Sequence, residues 1–243
     1  MKFYSFPIKT ISTIIISIFL FNCTSFKYTN GTYDKSTSKN IGVLKPISII
    51  GIVGEKNKMN YDSILSIQIT SQLLNNTIEV AGTNKTPVPI EADNDTEEII
   101  YKEVFALGQK LNSAKSKKKK QIVVDNYEMS EAIYQLMNEK QLDQLIISYH
   151  KGFSRTKSNY RNQNWKGLGV GLLTLGAYIP TPIKANSLIY TWVFDKNKKS
   201  IVFSNMSIKE IEPTDTNEFI KQICELYLGF YTEKTPEGLC FHR

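Results

Sequence analysis

The chain has 243 residues, of which 41% are hydrophobic and 22% are charged, and its formal net charge is +7. This composition is that of an ordinary folded protein and excludes collagen-like, mucin-like and wholly disordered chains. No apolar run reaches the ~18 residues that a membrane-spanning helix needs. Three scattered cysteines exclude a disulfide-rich mini-domain, and the positive charge is too dispersed to predict nucleic-acid binding.

The amino terminus predicts an export signal that ends in a lipidated cysteine. Lys2 and Lys9 precede an apolar core at residues 11–21. As a helix, this core would span only about half of a bilayer's hydrocarbon layer. The core stops at Cys23, and this pattern resembles a bacterial lipoprotein signal, in which the cysteine receives a diacylglycerol group and becomes the first mature residue. We expect residues 1–22 to be removed and the lipid to anchor the protein to a membrane. The alternatives are an ordinary cleaved signal with an incidental cysteine, or a buried amino-terminal helix.

The next part of the chain predicts a tether, a strand, a helix and a loop. Residues 23–40 are polar and lack apolar periodicity, so we expect a flexible tether. Residues 41–53 are rich in β-branched side chains and predict one buried strand. Helical spacing relates the apolar residues Tyr61, Ile64, Leu65, Ile69 and Leu73. Residues 75–95 contain Gly82 and two prolines and predict a loop with room for one short edge strand.

The middle of the chain predicts two helices around a lysine cluster. The first helix is indicated by Ile100, Val104, Leu107 and Leu111. Lys115 and residues 117–120 predict a solvated loop, with contact to anionic lipid headgroups as the alternative. Residues 121–124 predict a short strand. Residues 125–128 approximate a capping box for a second helix, which ends near Lys140.

The carboxyl-terminal half predicts three strands and a helix. Residues 145–153 alternate like a strand with one buried face, and residues 187–195 and 200–208 form a hairpin around a polar turn. A last helix with an apolar stripe follows. The whole order predicts a single α/β domain over residues 41–231, with a mixed sheet, a carboxyl-terminal antiparallel hairpin and helices packed on it. A tail over residues 232–243 ends the chain.

Two segments carry a resemblance to a known group of proteins. Residues 142–148 read Leu-Asp-Gln-Leu-Ile-Ile-Ser, and residues 171–181 contain Leu-Thr-Leu-Gly followed by Pro-Thr. Together with the order of elements, they resemble periplasmic lipoproteins whose α/β domain is related to the amino-terminal domain of TolB and to the curli secretion channel subunit. The resemblance covers residues 41–231 and implies an envelope protein. Thr24, rather than Asp, after the cysteine favours the outer membrane, by the sorting rule of enteric bacteria.

These observations predict a non-enzymatic lipoprotein that binds or scaffolds an envelope protein and needs no cofactor. The alternative implied by the resemblance is a subunit of an outer-membrane secretion assembly, although residues 168–183 are too short and glycine-rich to supply two amphipathic hairpins. A hydrolase is a third alternative, which needs a pocket that holds His150 beside a hydroxyl and a carboxylate. His150 is expected on the more polar face of its strand. His150 and His242 have no clustered carboxylates or cysteines around them, so we expect no metal site.

The apolar connection at residues 168–183 is the main candidate for contacts. Its glycines do not form a phosphate loop, because Pro180, Pro182 and then a strand follow. We expect a mobile connection that is either tucked against the sheet or offered to a membrane or a protein partner. The candidate contact residues are Leu168, Leu172, Leu173, Leu175, Tyr178 and Ile179. Trp165 and Trp192 are expected as core or interface anchors.

The other two cysteines predict a disulfide. Export places the domain in an oxidising compartment, and lipidation of Cys23 leaves Cys224 and Cys240 as an even pair. The chain between them is long enough for the tail to fold back along the last helix. Closing this loop would stabilise the fold by about 3 kcal/mol. The alternative is two unrelated thiols.

Overall fold

The computed structural model describes residues 26–30, 40–82, 87–114, 116–174 and 180–232. Several of the residues singled out above lie outside these ranges: Cys23, Lys115, Leu175, Tyr178, Ile179, Cys240 and His242. The predicted signal, the tail and the Cys224–Cys240 disulfide therefore stay predictions.

The described strands form one eight-stranded mixed sheet. The strands are β1 Lys27–Thr29, β2 Ile41–Leu44, β3 Ile47–Val53, β4 Met59–Tyr61, β5 Val88–Ile90, β6 Gln144–Arg155, β7 Ala185–Asp195 and β8 Ser200–Lys209. The long β6 strand is central, because it pairs in parallel with β2 and β3 on one side and antiparallel with β7 on the other. The predicted antiparallel hairpin of β7 and β8 is confirmed.

Helices cover both faces of this sheet. They are α1 Ser63–Ala81, α2 Asn94–Ser113, α3 Lys117–Asp125, α4 Glu131–Glu139, α5 Lys157–Leu173 and α6 Thr216–Tyr227. Each begins after an Asp, Ser or Thr whose side chain accepts a hydrogen bond from an amide of the first turn. Among the helices described, none is long and apolar enough to cross a membrane.

The core consists of two apolar layers, one on each face of the sheet. Helices α2, α3 and α4 pack over side chains that include Leu145, Ile147 and Trp192. Helices α1 and α6 pack over the opposite face, with Ile146 and Val193. Because β6 is covered on both faces, the prediction of only one buried face for this strand is wrong. The predicted fold class, a single α/β domain with a mixed sheet, is confirmed.

The first predicted strand and the tether differ from the structure. Residues 41–53 form two strands rather than one. The strand is interrupted at Lys45–Pro46, because proline has no amide proton to donate to the sheet. Residues 27–29, which the sequence assigns to the flexible tether, form β1 and pair antiparallel with β8. Phe26 and Tyr28 are buried beside this edge, so apolar burial orders a segment that looks polar on average.

Residues 117–125 are helical, so the predicted loop is wrong for residues 117–120, and the predicted short strand at residues 121–124 is wrong as well. The Ser116 hydroxyl accepts a hydrogen bond from the Lys119 amide at 3.3 Å and starts α3 at this point. Lys120 is only 8% exposed, and its ammonium lies 5.7 Å from the centre of the Phe26 ring. The next helix begins after Ser130, whose hydroxyl accepts from the Ile133 amide; it does not begin at the predicted capping box.

The first helix and the loop after it are predicted in part. Ile69 and Leu73 are buried on α1 as expected, but Ile64 is 71% exposed, and Tyr61 lies in β4 rather than in the helix and is 69% exposed. The helix also continues to Ala81, into the predicted loop. The short edge strand is confirmed as β5, which pairs in parallel with β2.

Candidate functional site

Helix α5 includes the first part, residues 168–173, of the predicted flexible connection at residues 168–183. Thr156 caps it by accepting a hydrogen bond from the Asn159 amide at 3.2 Å, and the helix continues to Leu173. Residues 168–173 are therefore helical, so the prediction of an irregular connection is wrong for this part.

Polar side chains hold the beginning of α5 on the domain. Asn159 is 3% exposed, and its side-chain nitrogen Nδ2 donates a hydrogen bond to the Gly54 carbonyl at 2.7 Å. Asn57 accepts hydrogen bonds from Asn159 at 3.1 Å and from Gln163 at 2.9 Å. Arg155 donates to Asn57 and to Asn159. The inward side of this half of α5 is thus its hydrogen-bonding side.

Three apolar side chains point away from the domain further along the helix. Trp165, Leu168 and Leu172 have the spacing i, i+3 and i+7, which places them on one helix face. They are 67%, 47% and 80% exposed. We call these three residues the α5 stripe. Leu173, at the end of the helix, is 87% exposed, so the alternative in which this segment is tucked against the sheet is wrong for the described leucines.

The charge of α5 has one sign. Its residues 157–173 include Lys157, Arg161 and Lys166 and no aspartate or glutamate. Lys157 and Arg161 precede Trp165 by eight and four positions, so they continue the α5 stripe toward the beginning of the helix. The exposed face therefore has a basic half followed by an apolar half.

Glycine is required at one position of α5 and not at another, which gives a matched pair of variants. A Cβ atom at Gly167 would overlap the carbonyl oxygen of Pro180, whereas a Cβ at Gly169 meets nothing within 4 Å. We expect Gly167→Ala to displace the end of α5 and to speed amide exchange there. We expect Gly169→Ala to slow exchange, because alanine stabilises a helix interior by roughly 0.5–1 kcal/mol over glycine. Hydrogen exchange over residues 160–173 measures both, and changes of the same sign would contradict the prediction.

His150 lies on the more polar face of β6, as predicted, but this face is covered, so the side chain belongs to the core. It is fully buried, and its Nε2 atom lies 2.9 Å from the Ser187 hydroxyl. That hydroxyl donates its single proton to the Gln222 side-chain carbonyl at 2.7 Å. The Nε2–H of His150 must therefore donate to Ser187. The other ring nitrogen, Nδ1, is buried without a hydrogen-bond partner in the structure.

This arrangement differs from a hydrolytic triad. In a triad, the histidine accepts the serine proton and a carboxylate orients the histidine. Here the serine proton is directed at Gln222, whose side chain is an amide, and all three residues are fully buried. The carboxylate that the hydrolase alternative needs beside His150 is not a member of this group. Within the described part of the chain, no group of three or more His, Cys, Asp or Glu side chains is placed to hold a metal ion.

The burial of His150 predicts a pH dependence of stability. Burial lowers the pKa of His150 from 6.5 to about 3. Between these values the unfolded chain binds a proton that the folded chain does not, so stability from this group is lost as the pH falls. We expect His150 to reduce the free energy of unfolding by about 1.4 kcal/mol per pH unit over this interval. His150→Gln, which keeps a donor for Ser187, should remove that slope in urea unfolding at a series of pH values. Equal slopes in both proteins would contradict the prediction.

A second surface was missed by the sequence analysis. A groove of about 950 Å³ lies between α1, α2 and the break at Lys45–Pro46. Its apolar lining includes Pro46, Ile47, Ile67 and Phe105, and we call it the α1–α2 groove. The isoleucines of α1 contained a signal, because Ile64 and Ile67 lie on a different helix face from Ile69 and Leu73. A helix with apolar residues on two faces has one face left after it packs on the core.

Comparisons with known proteins give distant structural likenesses. No protein-family model matches the chain, and no curated protein is significantly similar to it in sequence. A PelC dodecamer from Paraburkholderia phytofirmans is similar with a TM-score of 0.39 at 6% identity, over 84% of this chain and 96% of the PelC chain. The LpoB C-terminal domain from Salmonella enterica is similar with a TM-score of 0.27 at 8% identity, over 72% and 86% of the two chains. At such TM-scores the likeness carries no argument about function. The resemblance to TolB and the curli secretion channel subunit stays a prediction.

Proposed function

We propose that this protein is a lipid-anchored protein of the bacterial outer membrane, whose domain binds or scaffolds another envelope protein without catalysing a reaction. The α5 stripe is the observation that carries the binding role. The lipid anchor is supported by the sequence around Cys23, where a short apolar core stops at a cysteine.

The α5 stripe has the features of a helix face that binds a protein. Contiguous apolar side chains on a protein surface mark contact sites, and anchors at i, i+3 and i+7 are the pattern by which a helix enters a groove of its partner. Trp165 adds a large aromatic side chain, a residue type that is enriched where interfaces are strongest. The polar contacts of Asn159 and Gln163 hold the helix so that this face points outward.

Site-specific photo-crosslinking in cells tests the binding role. We expect a photo-reactive benzoylphenylalanine in place of Leu172 to form protein adducts in the envelope. The matched control places the same residue at Ile122, an apolar residue of α3 that is 47% exposed, and should give no adduct. Adducts at neither position, or equal adducts at both, would contradict the proposal.

A further inference from the structure

We propose that Lys117, Lys118 and Lys119 lie on the anionic phospholipid headgroups of the membrane that holds the anchor, next to the lipidated cysteine. We call these three residues the α3 lysines. The inference rests on the lipid anchor of the proposed function and adds the surface with which the domain faces the membrane. It follows from the length of chain between Cys23 and the domain, from the directions of β1 and α3, and from the charges around them.

The chain between Cys23 and the folded domain is short. Phe26 is buried beside β1 and is only three positions after Cys23. Three residues span at most about 11 Å. A flexible tether over the whole of residues 23–40 would instead let the domain lie about 20 Å or more from the anchor on average. Because β1 pairs with β8, a lipid on Cys23 holds the domain at the membrane surface.

Strand β1 and helix α3 lie side by side and run in the same direction. The Lys120 ammonium lies 5.7 Å from the centre of the Phe26 ring, and the Tyr28 hydroxyl donates a hydrogen bond to the Asp125 carboxylate at 2.8 Å. These two contacts are about 7 Å apart along either element, from the rise per residue of a strand and of a helix. The beginning of α3, which carries the lysines, is therefore at the end of β1 from which the chain leads back to Cys23.

The surface at this end of the domain is positive. The α3 lysines are exposed, and none of them forms an ion pair within the described residues. The depression between α3 and β1 is lined by Lys27 and Lys117, among others, and by no aspartate or glutamate. Asp125, the acidic residue of α3, is at the other end of the helix, about 12 Å from Lys117. Glu225, near the end of α6 that Lys27 contacts, is paired with Lys209 at 2.7 Å.

The position of the α3 lysines is unfavourable for the helix itself. The first turn of a helix has a partial positive charge, so acidic residues stabilise it and basic residues destabilise it. Helix α3 has no acidic residue in its first turn and begins with four lysines. An anionic surface offsets both the repulsion among these lysines and their interaction with the helix dipole. Each lysine near such a surface strengthens membrane binding about fivefold, which corresponds to about 1 kcal/mol.

Vesicle binding of the unanchored chain tests the α3 lysines separately from the lipid. The parent protein is residues 23–243 with Cys23→Ser, and the test variant adds Lys117→Gln, Lys118→Gln and Lys119→Gln. The control variant removes the same charge at the opposite end of the sheet, where β6 begins and the β7–β8 turn lies. Its substitutions are Lys140→Gln, Lys196→Gln and Lys198→Gln. Sedimentation with vesicles of phosphatidylglycerol and phosphatidylcholine in equal parts measures this weak, reversible binding.

The test variant is expected to lose about 100-fold in vesicle affinity, because each of the three lysines contributes about fivefold. At an ionic strength of about 0.1 M, charges more than about 10 Å from the membrane are largely screened, so the control variant should bind as the parent does. Neither set of substitutions should matter with phosphatidylcholine alone, which has no net charge. Urea unfolding checks the fold. The test variant should unfold at no lower urea concentration than the parent, because positive charge is removed from the beginning of a helix.

Amine acetylation of the anchored protein tests the orientation of the domain. The mature lipoprotein is reconstituted in the anionic vesicles and in vesicles of phosphatidylcholine alone, and mass spectrometry follows the acetylation of each lysine. We expect the α3 lysines to react several-fold more slowly in the anionic vesicles. Lys140, at the opposite end of the sheet, should react equally in both.

Three outcomes would overturn this inference and leave the proposed function intact. They are an unchanged vesicle affinity of the test variant, an equal loss in the control variant, and acetylation of the α3 lysines that does not depend on the vesicle charge. A mature chain without lipid on Cys23 would overturn the anchor and this inference together. The mass of the mature chain distinguishes the two cases.

Discussion

Trp192→Ala is expected to lower the free energy of unfolding by about 3–5 kcal/mol, the range for removal of a large aromatic side chain from a core. Trp192 is fully buried on β7, under α2. Its ring packs beside those of Tyr190, at 5.7 Å, and Tyr149, at 5.8 Å, measured between centroids, and these two tyrosine rings also stack on each other at 4.9 Å. The indole nitrogen has no hydrogen-bond partner in the structure, so the loss arises from packing and from the cavity. A change of this size is a large fraction of the 5–15 kcal/mol of a typical domain.

The chain contains its own control for this measurement. Trp165 is the other tryptophan and is 67% exposed on α5. Trp165→Ala should change the free energy of unfolding by less than about 0.5 kcal/mol. Urea unfolding of both variants at the same low protein concentration gives the comparison. Equal losses would mean that Trp165 is packed as Trp192 is, and would remove the α5 stripe as an exposed surface.

These two tryptophans also show where sequence reasoning ends. The sequence predicted only that each tryptophan is a core or interface anchor, without distinguishing the buried one from the exposed one. Trp192 is in a strand whose alternation and hairpin turn could be recognised, and its burial follows from helices on both faces of the sheet. The outward position of Trp165 depends on contacts between distant residues, such as Asn159 with Gly54 and Asn57. No local pattern encodes those contacts.

Regular elements were predicted where one period dominated the sequence. The apolar residues of α2 repeat at helical spacing, and those of β7 and β8 surround a polar turn, so both were correct. The four residues 121–124 include β-branched side chains, and a run this short is compatible with a strand or with a helix. The hydrogen bond that caps the helix at Ser116 favours the helix. Helix α5 was missed because its glycines predict irregular backbone, whereas its polar anchors and its cap at Thr156 favour helix.

Residues of the candidate site could be named from the sequence, but their arrangement in space could not. Leu168, Leu172 and Leu173 were named from the sequence as contact residues, and the structure places all three in solvent at the end of α5. The isoleucines of α1 indicate a helix face that is not packed on the core, but the α1–α2 groove itself could not be predicted, because it is formed by residues from three separate segments. Its existence depends on the break at Lys45–Pro46 and on helices that lie on opposite faces of the sheet.

Cys23→Ser is expected to abolish lipidation completely. If the thiol of Cys23 carries the diacylglycerol group, cells that grow with labelled palmitate should label the unsubstituted protein, and the variant should carry no label. A serine hydroxyl cannot form the thioether, so no residual lipid is expected. Intact mass should show the same difference, with lipid on a chain that begins at Cys23 and none on the variant. The neighbouring substitution Thr24→Ser keeps the cysteine and is the matched control, with labelling unchanged.

A lipid anchor at Cys23 would in turn determine where the domain resides. Each buried methylene contributes about 0.8 kcal/mol to membrane binding, so the two or three acyl chains of a lipoprotein hold it stably on a bilayer. Without these acyl chains, the domain loses that contribution to membrane binding and should leave the membrane fraction. The mature domain of the Cys23→Ser variant should therefore appear in the soluble fraction after cell lysis. A variant that keeps the palmitate label, or whose mass equals that of the unsubstituted protein apart from one sulfur-to-oxygen exchange, would show that Cys23 is not the lipid attachment site.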